Sequence, residues 1–296
     1  MTIKRLFPAL LVLVATCSAQ SNGATVQRPK ITGISHVSFF TSDTAAAKRF
    51  YGDLLGLPPG AWEGVYQVGG QYIQIQAQKQ SNPPSRISHV AFATNDAEGV
   101  RSLLFTHRTK APAAVHIENN GTRWFAMEDP EGYPIEFVQE HPAVTKQSKE
   151  ISLRIIHAGF VVHDRATEDA FYRDLLGFKL YWHGGMTDTQ DDWVDMQVPD
   201  GAQWLEYMLV AKNSDLDKRT LGILNHVALG VADIKAAAKL LESRGWKPAK
   251  DEHPQLGKDG KWQLNLYDVD GTRVELMEFT PVQKPCCSPY VGPHPD

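Results

Sequence analysis

The strongest constraint on this chain is a segment that it writes four times, an apolar run with a histidine near its start. The copies are Ile34-Ser35-His36-Val37-Ser38-Phe39, Ile87-Ser88-His89-Val90-Ala91-Phe92, Ile156-His157-Ala158-Gly159-Phe160 and Leu224-Asn225-His226-Val227-Ala228-Leu229. Successive side chains alternate across a pleated strand, so His36, Ser38 and Phe40 share one face while Val37 and Phe39 share the other. Each copy reads as a strand with an imidazole on the same face. A single such histidine is ordinarily a satisfied core residue; four in one register form a candidate ligand set.

The residues downstream of each histidine repeat as well. After the first and third copies an amphipathic helix is predicted, ending in Arg49-Phe50-Tyr51-Gly52-Asp53-Leu54-Leu55-Gly56 and Ala170-Phe171-Tyr172-Arg173-Asp174-Leu175-Leu176-Gly177. The terminal glycines stand where a helix needs a left-handed stop. After the second and fourth copies helices are predicted over 96–105 and 233–243, each opened by an aspartate able to cap free backbone amides. Every unit then closes on a strand whose central residue is acidic or amide: Gln74, Glu136, Glu206 and Glu275. Glu136 lies opposite to Ile135 and Phe137, and Glu275 opposite to Val274 and Leu276, which places both carboxylates on the face of the histidines.

With these motifs, and with the turn Asp129-Pro130-Glu131-Gly132, the chain resembles the vicinal oxygen chelate superfamily of glyoxalase I, extradiol dioxygenases, methylmalonyl-CoA epimerase and bleomycin-resistance proteins. The resemblance implies an α+β fold of four βαβββ modules forming two cupped mixed β-sheet barrels, an N-terminal domain over 31–142 and a C-terminal one over 151–281. It implies one divalent metal per barrel, with ligands from the first and last strands of both modules. Carried over by position, these are His36, Gln74, His89 and Glu136 in the first barrel, and His157, Glu206, His226 and Glu275 in the second. Glu206 and Glu275 are the candidate catalytic bases.

Imidazole and carboxylate without thiolate suit Ni, Zn, Co, Mn or Fe alike. Two histidines and one carboxylate leave positions open for a chelating substrate and oxygen. A fourth protein ligand favours redox-neutral work, in which the metal polarises a carbonyl and a carboxylate moves a proton. The leading expectation is therefore a glyoxalase-like lyase or isomerase acting on a small molecule that chelates through vicinal oxygens. Its alternatives are an extradiol-type dioxygenase using Fe(II) or Mn(II), and a non-catalytic binding protein of the bleomycin-resistance kind. The dioxygenase reading draws on the four-module architecture, but the turn Asp268-Val269-Asp270-Gly271 lacks a proline. His163, His183, His253 and Tyr267 are further acid–base candidates for the C-terminal cavity.

Residues 1–19 read as a secretory signal peptide: Lys4 and Arg5, an apolar run over 6–15, then Cys17-Ser18-Ala19. The expected address is periplasmic or secreted, with lipidation at Cys17 disfavoured by the preceding threonine. Outside the cytosol, glutathione adducts and CoA thioesters are poor substrate candidates; small aromatic diols, sugars and hydroxy-acids remain. A net charge of −4 with no basic stripe argues against nucleic acid and, after signal cleavage, against a membrane as partner.

The paired histidines are 53 residues apart in the first half and 69 in the second, so the third module carries an insertion, placed at 181–193. It stands ahead of a hairpin over 193–209 that turns at Pro199-Asp200-Gly201. It is either a cover for the C-terminal cavity or a decorated turn. Residues 141–150 read as a linker, and the 121-residue offset between His36 and His157 as duplication of a two-module ancestor. The tail 282–296 is proline-rich and is assigned no catalytic role. Its adjacent Cys286 and Cys287 allow a vicinal disulfide, an intermolecular bridge or free thiols.

Overall fold

All four histidine segments are strands in the computed structural model of the protein, which describes residues 28–79, 86–139, 151–250 and 252–296. The expected signal peptide and linker lie outside the described residues. The N-terminal half runs β1 (Ile31–Thr41), α1 (Thr44–Lys48), β2 (Val65–Val68), β3 (Gln71–Ala77), β4 (Ile87–Thr94), α2 (Ala97–Thr106), β5 (His116–Ile117), β6 (Arg123–Glu128) and β7 (Pro134–Gln139). The C-terminal half runs β8 (Ile155–Val162), α3 (Arg165–Asp169), β9 (Lys179–Gly184), β10 (Trp193–Gln197), β11 (Trp204–Leu209), α4 (Lys218–Leu224), β12 (His226–Val231), α5 (Ile234–Ser243), β13 (Gln255–Leu256), β14 (Trp262–Tyr267) and β15 (Arg273–Glu278).

Each half makes one mixed sheet, in the orders β2-β3-β1-β4-β7-β6-β5 and β13-β14-β15-β12-β8-β11-β10-β9. The first strands of two modules meet antiparallel at the centre, β1 with β4 and β8 with β12, and each is flanked by its own module's last strand in parallel. The four strands expected to bear ligands are thus the central four of each sheet. The expected α+β fold of two cupped mixed sheets is present.

One module departs from the βαβββ expectation. Between α1 and β2 the first module has an isolated bridge, Pro59 to Tyr66, where the third module has the strand β9. The cause is local. Pro58-Pro59 occupies the place that Lys179-Leu180 takes in β9, and proline cannot donate to a ladder.

The repeated Phe-Tyr phrase also folds differently from a plain helix. Asp43 and Asp164 cap α1 and α3 as their counterparts Asp96 and Asp233 cap α2 and α5. Each of the first two helices then widens into a π-helical turn, Arg49–Leu54 and Ala170–Leu175. There Leu55 N–H donates to Phe50 O at 2.9 Å and Leu176 N–H to Phe171 O at 3.0 Å, five residues back. Gly56 and Gly177 end these turns at φ 68° and 81°, as the left-handed stop requires.

The wide turns direct Tyr51 and Tyr172, both fully buried, into the other half of the molecule. Tyr51 OH donates to Asp268 Oδ2, and Tyr172 OH to Asp129 Oδ2, each at 3.1 Å. The two halves therefore grip each other reciprocally: each contributes a tyrosine from its helix and an aspartate from the turn before its last strand. Further pairs obey the same pseudo-two-fold relation. Gln71 Oε1 accepts from Ile155 N–H and Gln203 Oε1 from Ile34 N–H. Asp270 accepts from Ser42, and Glu131 from His163 and Asp164. Rings complete the joint, with Phe92 5.4 Å from Phe178 and Tyr133 stacked on Phe160 at 4.5 Å.

The tail is strapped along β9. Val291 N–H donates to Tyr181 O, Ser288 Oγ bonds His183 N and O, and Cys286 O accepts from Trp182 Nε1. Cys286 and Cys287 are joined as a vicinal disulfide. Of the expected insertion 181–193, residues 181–184 belong to β9 and only 185–192 form a loop.

Candidate metal centres

Neighbouring central strands bring each predicted donor to the concave face of its sheet. In the N-terminal cup His36 Nε2 and His89 Nε2 lie 2.9 Å apart, with Glu136 Oε2 at 3.7 and 3.8 Å from them. Gln74 lines the same cavity, of about 400 Å³. In the C-terminal cup His157 Nε2 and His226 Nε2 are 3.0 Å apart. Glu275 Oε2 stands 3.4 Å from His157 Nε2 and 3.7 Å from His226 Nε2. Glu206 Oε2 adds a fourth donor at 3.5 and 3.0 Å from the same nitrogens. Its strand β11 lies inside the sheet, between β8 and β10, so Glu206 is a cavity residue and not an edge residue. All eight predicted site residues are thus placed on the two concave faces, in two groups of four.

The surroundings prepare these imidazoles to act as ligands. His226 Nδ1 donates to Leu224 O at 2.8 Å, which leaves the Nε2 lone pair pointing inward. His36 and His89 place Nδ1 within 3.1 and 3.3 Å of the hydroxyls of Ser35 and Ser88, the residues that precede them. Burial lowers the pKa of all four histidines, to about 4 for His89 and, with the Arg273 charge adding to burial, to about 3 for His226. They are neutral at pH 7. Burial raises Glu136 to about 7 and also raises Glu206. For Glu275 the upward pull of burial is outweighed by the His157 hydrogen bond and the Arg273 charge, and it falls to about 2. Imidazole nitrogens and carboxylates gathered in a desolvated cup call for a cation, and one ligand atom each from His36, His89 and Glu136, and likewise from His157, His226 and Glu275, lies within 4.8 Å of the others. The donor chemistry fits a divalent metal in each cup.

Several residues of the sites lie outside the predicted donor positions. Tyr72 stacks on His36 at 4.2 Å between ring centroids, and Trp204 packs on His157 at 4.7 Å. Both stand two residues before the closing-strand donor, a spacing that could have disclosed them. Gly159 faces His226 across β8 and β12, and a Cβ there would lie 2.1 Å from the imidazole. Lys261 is buried in a cage of Trp204, Tyr181 and Tyr290 from the tail, and Asp195 pairs across strands with Glu206.

The extra acid–base candidates are not in the cavity. His163 bonds Glu131 in the joint between halves, His183 pairs with Asp191 at 2.6 Å, and His253 and Tyr267 face solvent. Each is consumed by a local partner or by water. The loop after β9 contributes Met186 to the cavity wall, so the insertion forms part of the rim.

Comparison with known proteins agrees with this geometry. Residues 33–137 and 156–265 each match a family model of the Glyoxalase/Bleomycin resistance protein/Dioxygenase superfamily. The uncharacterized protein YaeR of Escherichia coli K12 is 26% identical over 124 residues, which is 36% of this chain and 95% of that protein. Among solved structures, the Mn(II)-bound glyoxalase of Novosphingobium aromaticivorans superposes with a TM-score of 0.64 at 20% identity, covering 84% of this chain and 83% of that one. An extradiol ring-cleaving dioxygenase of B. fuscum also gives 0.64, at 18% identity, covering 86% and 73%. Homoprotocatechuate 2,3-dioxygenase of Arthrobacter globiformis gives 0.64 at 18%, covering 86% and 81%.

Proposed function

This chain belongs to the glyoxalase/bleomycin resistance protein/dioxygenase superfamily, and we propose that it is an exported metalloenzyme whose C-terminal cup catalyses a redox-neutral lyase or isomerase reaction on a small molecule with vicinal oxygens. The observation that carries this reading is the fourth donor: Glu206 Oε2 stands 3.0 Å from His226 Nε2, which gives the cup two imidazoles and two carboxylates. Equal likeness to a glyoxalase and to dioxygenases leaves the fold neutral between reactions.

His157, His226, Glu206 and Glu275 would hold the metal. When bound, the metal supplies Lewis-acid polarisation of a substrate carbonyl. Glu206, with its side chain 14% exposed against 3% for Glu275, has the freedom to leave the donor set and serve as base. It takes a proton from the carbon beside the carbonyl and returns it to a neighbouring atom, so that no electrons enter or leave. Trp182, Trp193 and Trp204 line the cavity and exclude water from the reacting atoms.

A second reading attaches to the other cup. His36, His89 and Glu136, with only the neutral Gln74 added, form the two-histidine, one-carboxylate face suited to Fe(II) or Mn(II) and oxygen. Elemental analysis of protein purified with and without air separates the two. Two equivalents of Ni, Zn, Co or Mn per chain are expected; one equivalent of oxygen-sensitive iron, lost in air together with activity, overturns the redox-neutral reading.

Export is supported by the basic-then-apolar leader over 1–19 and by the disulfide, which suits an oxidising compartment. Mass measurement of the protein from a periplasmic or culture fraction is expected to find a chain beginning at Gln20.

A further inference from the structure

The C-terminal cavity contains a cation that the donor set does not explain. Arg273 opens β15 two residues before Glu275, and its side chain lines the cavity. Its Nη2 lies 2.8 Å from both Nδ1 and Nε2 of His226. Equal distances to both ring nitrogens place it over the face of the imidazole, since in the ring plane it would collide with Cε1. Arg273 Nε is buried and has no hydrogen-bond partner, and among the described residues no carboxylate oxygen pairs with its guanidinium within 4.0 Å. A guanidinium offers five donors in a planar fork and is most stable facing a carboxylate. This one has none among the described residues, and the residue lines the cavity.

The fold does not require this arginine. The matching position of the N-terminal sheet is Pro134, which opens β7 two residues before Glu136. Among the described residues, none that lines the N-terminal cavity is a lysine or arginine. The two cups therefore differ in whether a guanidinium stands beside the donor set, two residues before the closing-strand carboxylate.

We infer that Arg273 is the anion receptor of the C-terminal cup and that its substrates are 2-hydroxy or 2-oxo carboxylates, the carboxylate being one of the two vicinal oxygen groups. This rests on the vicinal-oxygen reading given under the proposed function and narrows it. Packed on a metal-ligating imidazole, the guanidinium sits within reach of a substrate oxygen held at the donor set. A carboxylate there receives charge-assisted hydrogen bonds that a ketone or alcohol oxygen takes up only weakly. The tryptophans that line the cavity give the substrate's remaining carbon skeleton an apolar wall.

Two probes of nearly equal size separate the charge from the chelation. Mandelate and 2-hydroxyacetophenone both offer adjacent oxygens on a phenyl frame, and only mandelate carries a carboxylate. Their binding is measured by calorimetry on the full metal-loaded chain carrying His89→Ala, which confines metal to the C-terminal cup, and on the same chain with Arg273→Gln. Elemental analysis verifies equal metal content. Mandelate is expected to bind at least tenfold more weakly after R273Q, with 2-hydroxyacetophenone unchanged within twofold and most of the mandelate affinity kept by R273K. Equal weakening of both probes, or none, overturns the anion receptor and leaves vicinal chelation standing. Failure of both probes to bind the His89→Ala parent at full metal content removes the chelation reading itself, a result that does not involve Arg273. Should R273Q lose metal, Arg273→Met, which keeps an unbranched apolar side chain at this position, carries the same comparison with the same two outcomes.

Discussion

The N-terminal cup assembles two imidazoles, one carboxylate and one amide, whereas the C-terminal cup assembles two imidazoles and two carboxylates with a guanidinium beside them. Both occupy the same four central strands in the same order. The backbone therefore fixes where donors stand, and side-chain differences such as Gln74 against Glu206, Pro134 against Arg273 and Val65 against Asp195 change the charge each cup carries. The walls diverge too. The C-terminal one is closed by a tail that has no counterpart among the described N-terminal residues, with Tyr290 completing the aromatic cage of Lys261.

The sharpest way to break the comparison is to empty one cup at a time. His226→Ala is expected to reduce metal from two equivalents per chain to one and to abolish turnover, whereas His89→Ala removes the other equivalent and leaves turnover intact. Equal losses of turnover would show that the cups act as one unit. Next in size, Glu206→Gln gives the C-terminal cup the N-terminal donor set. Metal is retained while solvent-deuterium exchange into the substrate, followed by NMR, falls by about 10²–10⁴-fold, the usual contribution of a general base. Undiminished exchange would transfer that role to Glu275.

Smaller effects test the joint. Tyr51→Phe and Tyr172→Phe each leave a buried aspartate short of a donor, and each is expected to cost about 1–3 kcal/mol, read as a lower midpoint in thermal unfolding. If the pseudo-two-fold is energetically real, the two losses are alike. A last test comes from a departure from that symmetry. Glu168 on α3 is fully buried against Asp129 and Glu131, where α1 has Ala47. Burial, followed by the charges of Asp129 and Glu131, pushes the Glu168 carboxyl up from 4.5 to about 9. A folded-state pKa above the unfolded one means stability that is complete below the unfolded value and is lost as pH rises toward the folded one. Glu168→Gln is therefore expected to gain stability on the parent steadily as pH rises from 5 to 9, and an unchanging difference in melting temperature across that range would refute the assignment.

The central strands were legible because their signals are local and repeated: alternation fixed the faces, and four copies fixed the register of His36, His89, His157 and His226. Gln74, Glu136, Glu206 and Glu275 followed from the same pleat. The signature phrases were legible as motifs but not in their purpose. Tyr51 and Asp268 are 217 residues apart, and nothing in either segment says that one is the other's partner. The π-helical turns escaped because the periodicity of so short a segment does not separate one helical winding from another. Arg273 escaped for a different reason. A cation on an alternating strand reads as a solvated face, and only the closed sheet shows that its side chain enters a cavity. His163 failed in the opposite direction, since an isolated histidine near a donor strand carries no mark of the glutamate that will hold it.

The paired tyrosine–aspartate contacts have a consequence for the history of the chain. An interface written twice tolerates damage to either copy, because the surviving contact keeps the halves aligned while the other drifts. Such redundancy relaxes selection on each half separately. One cup is then at liberty to carry an arginine where its twin carries a proline. Divergence within a single polypeptide becomes a product of its own symmetry.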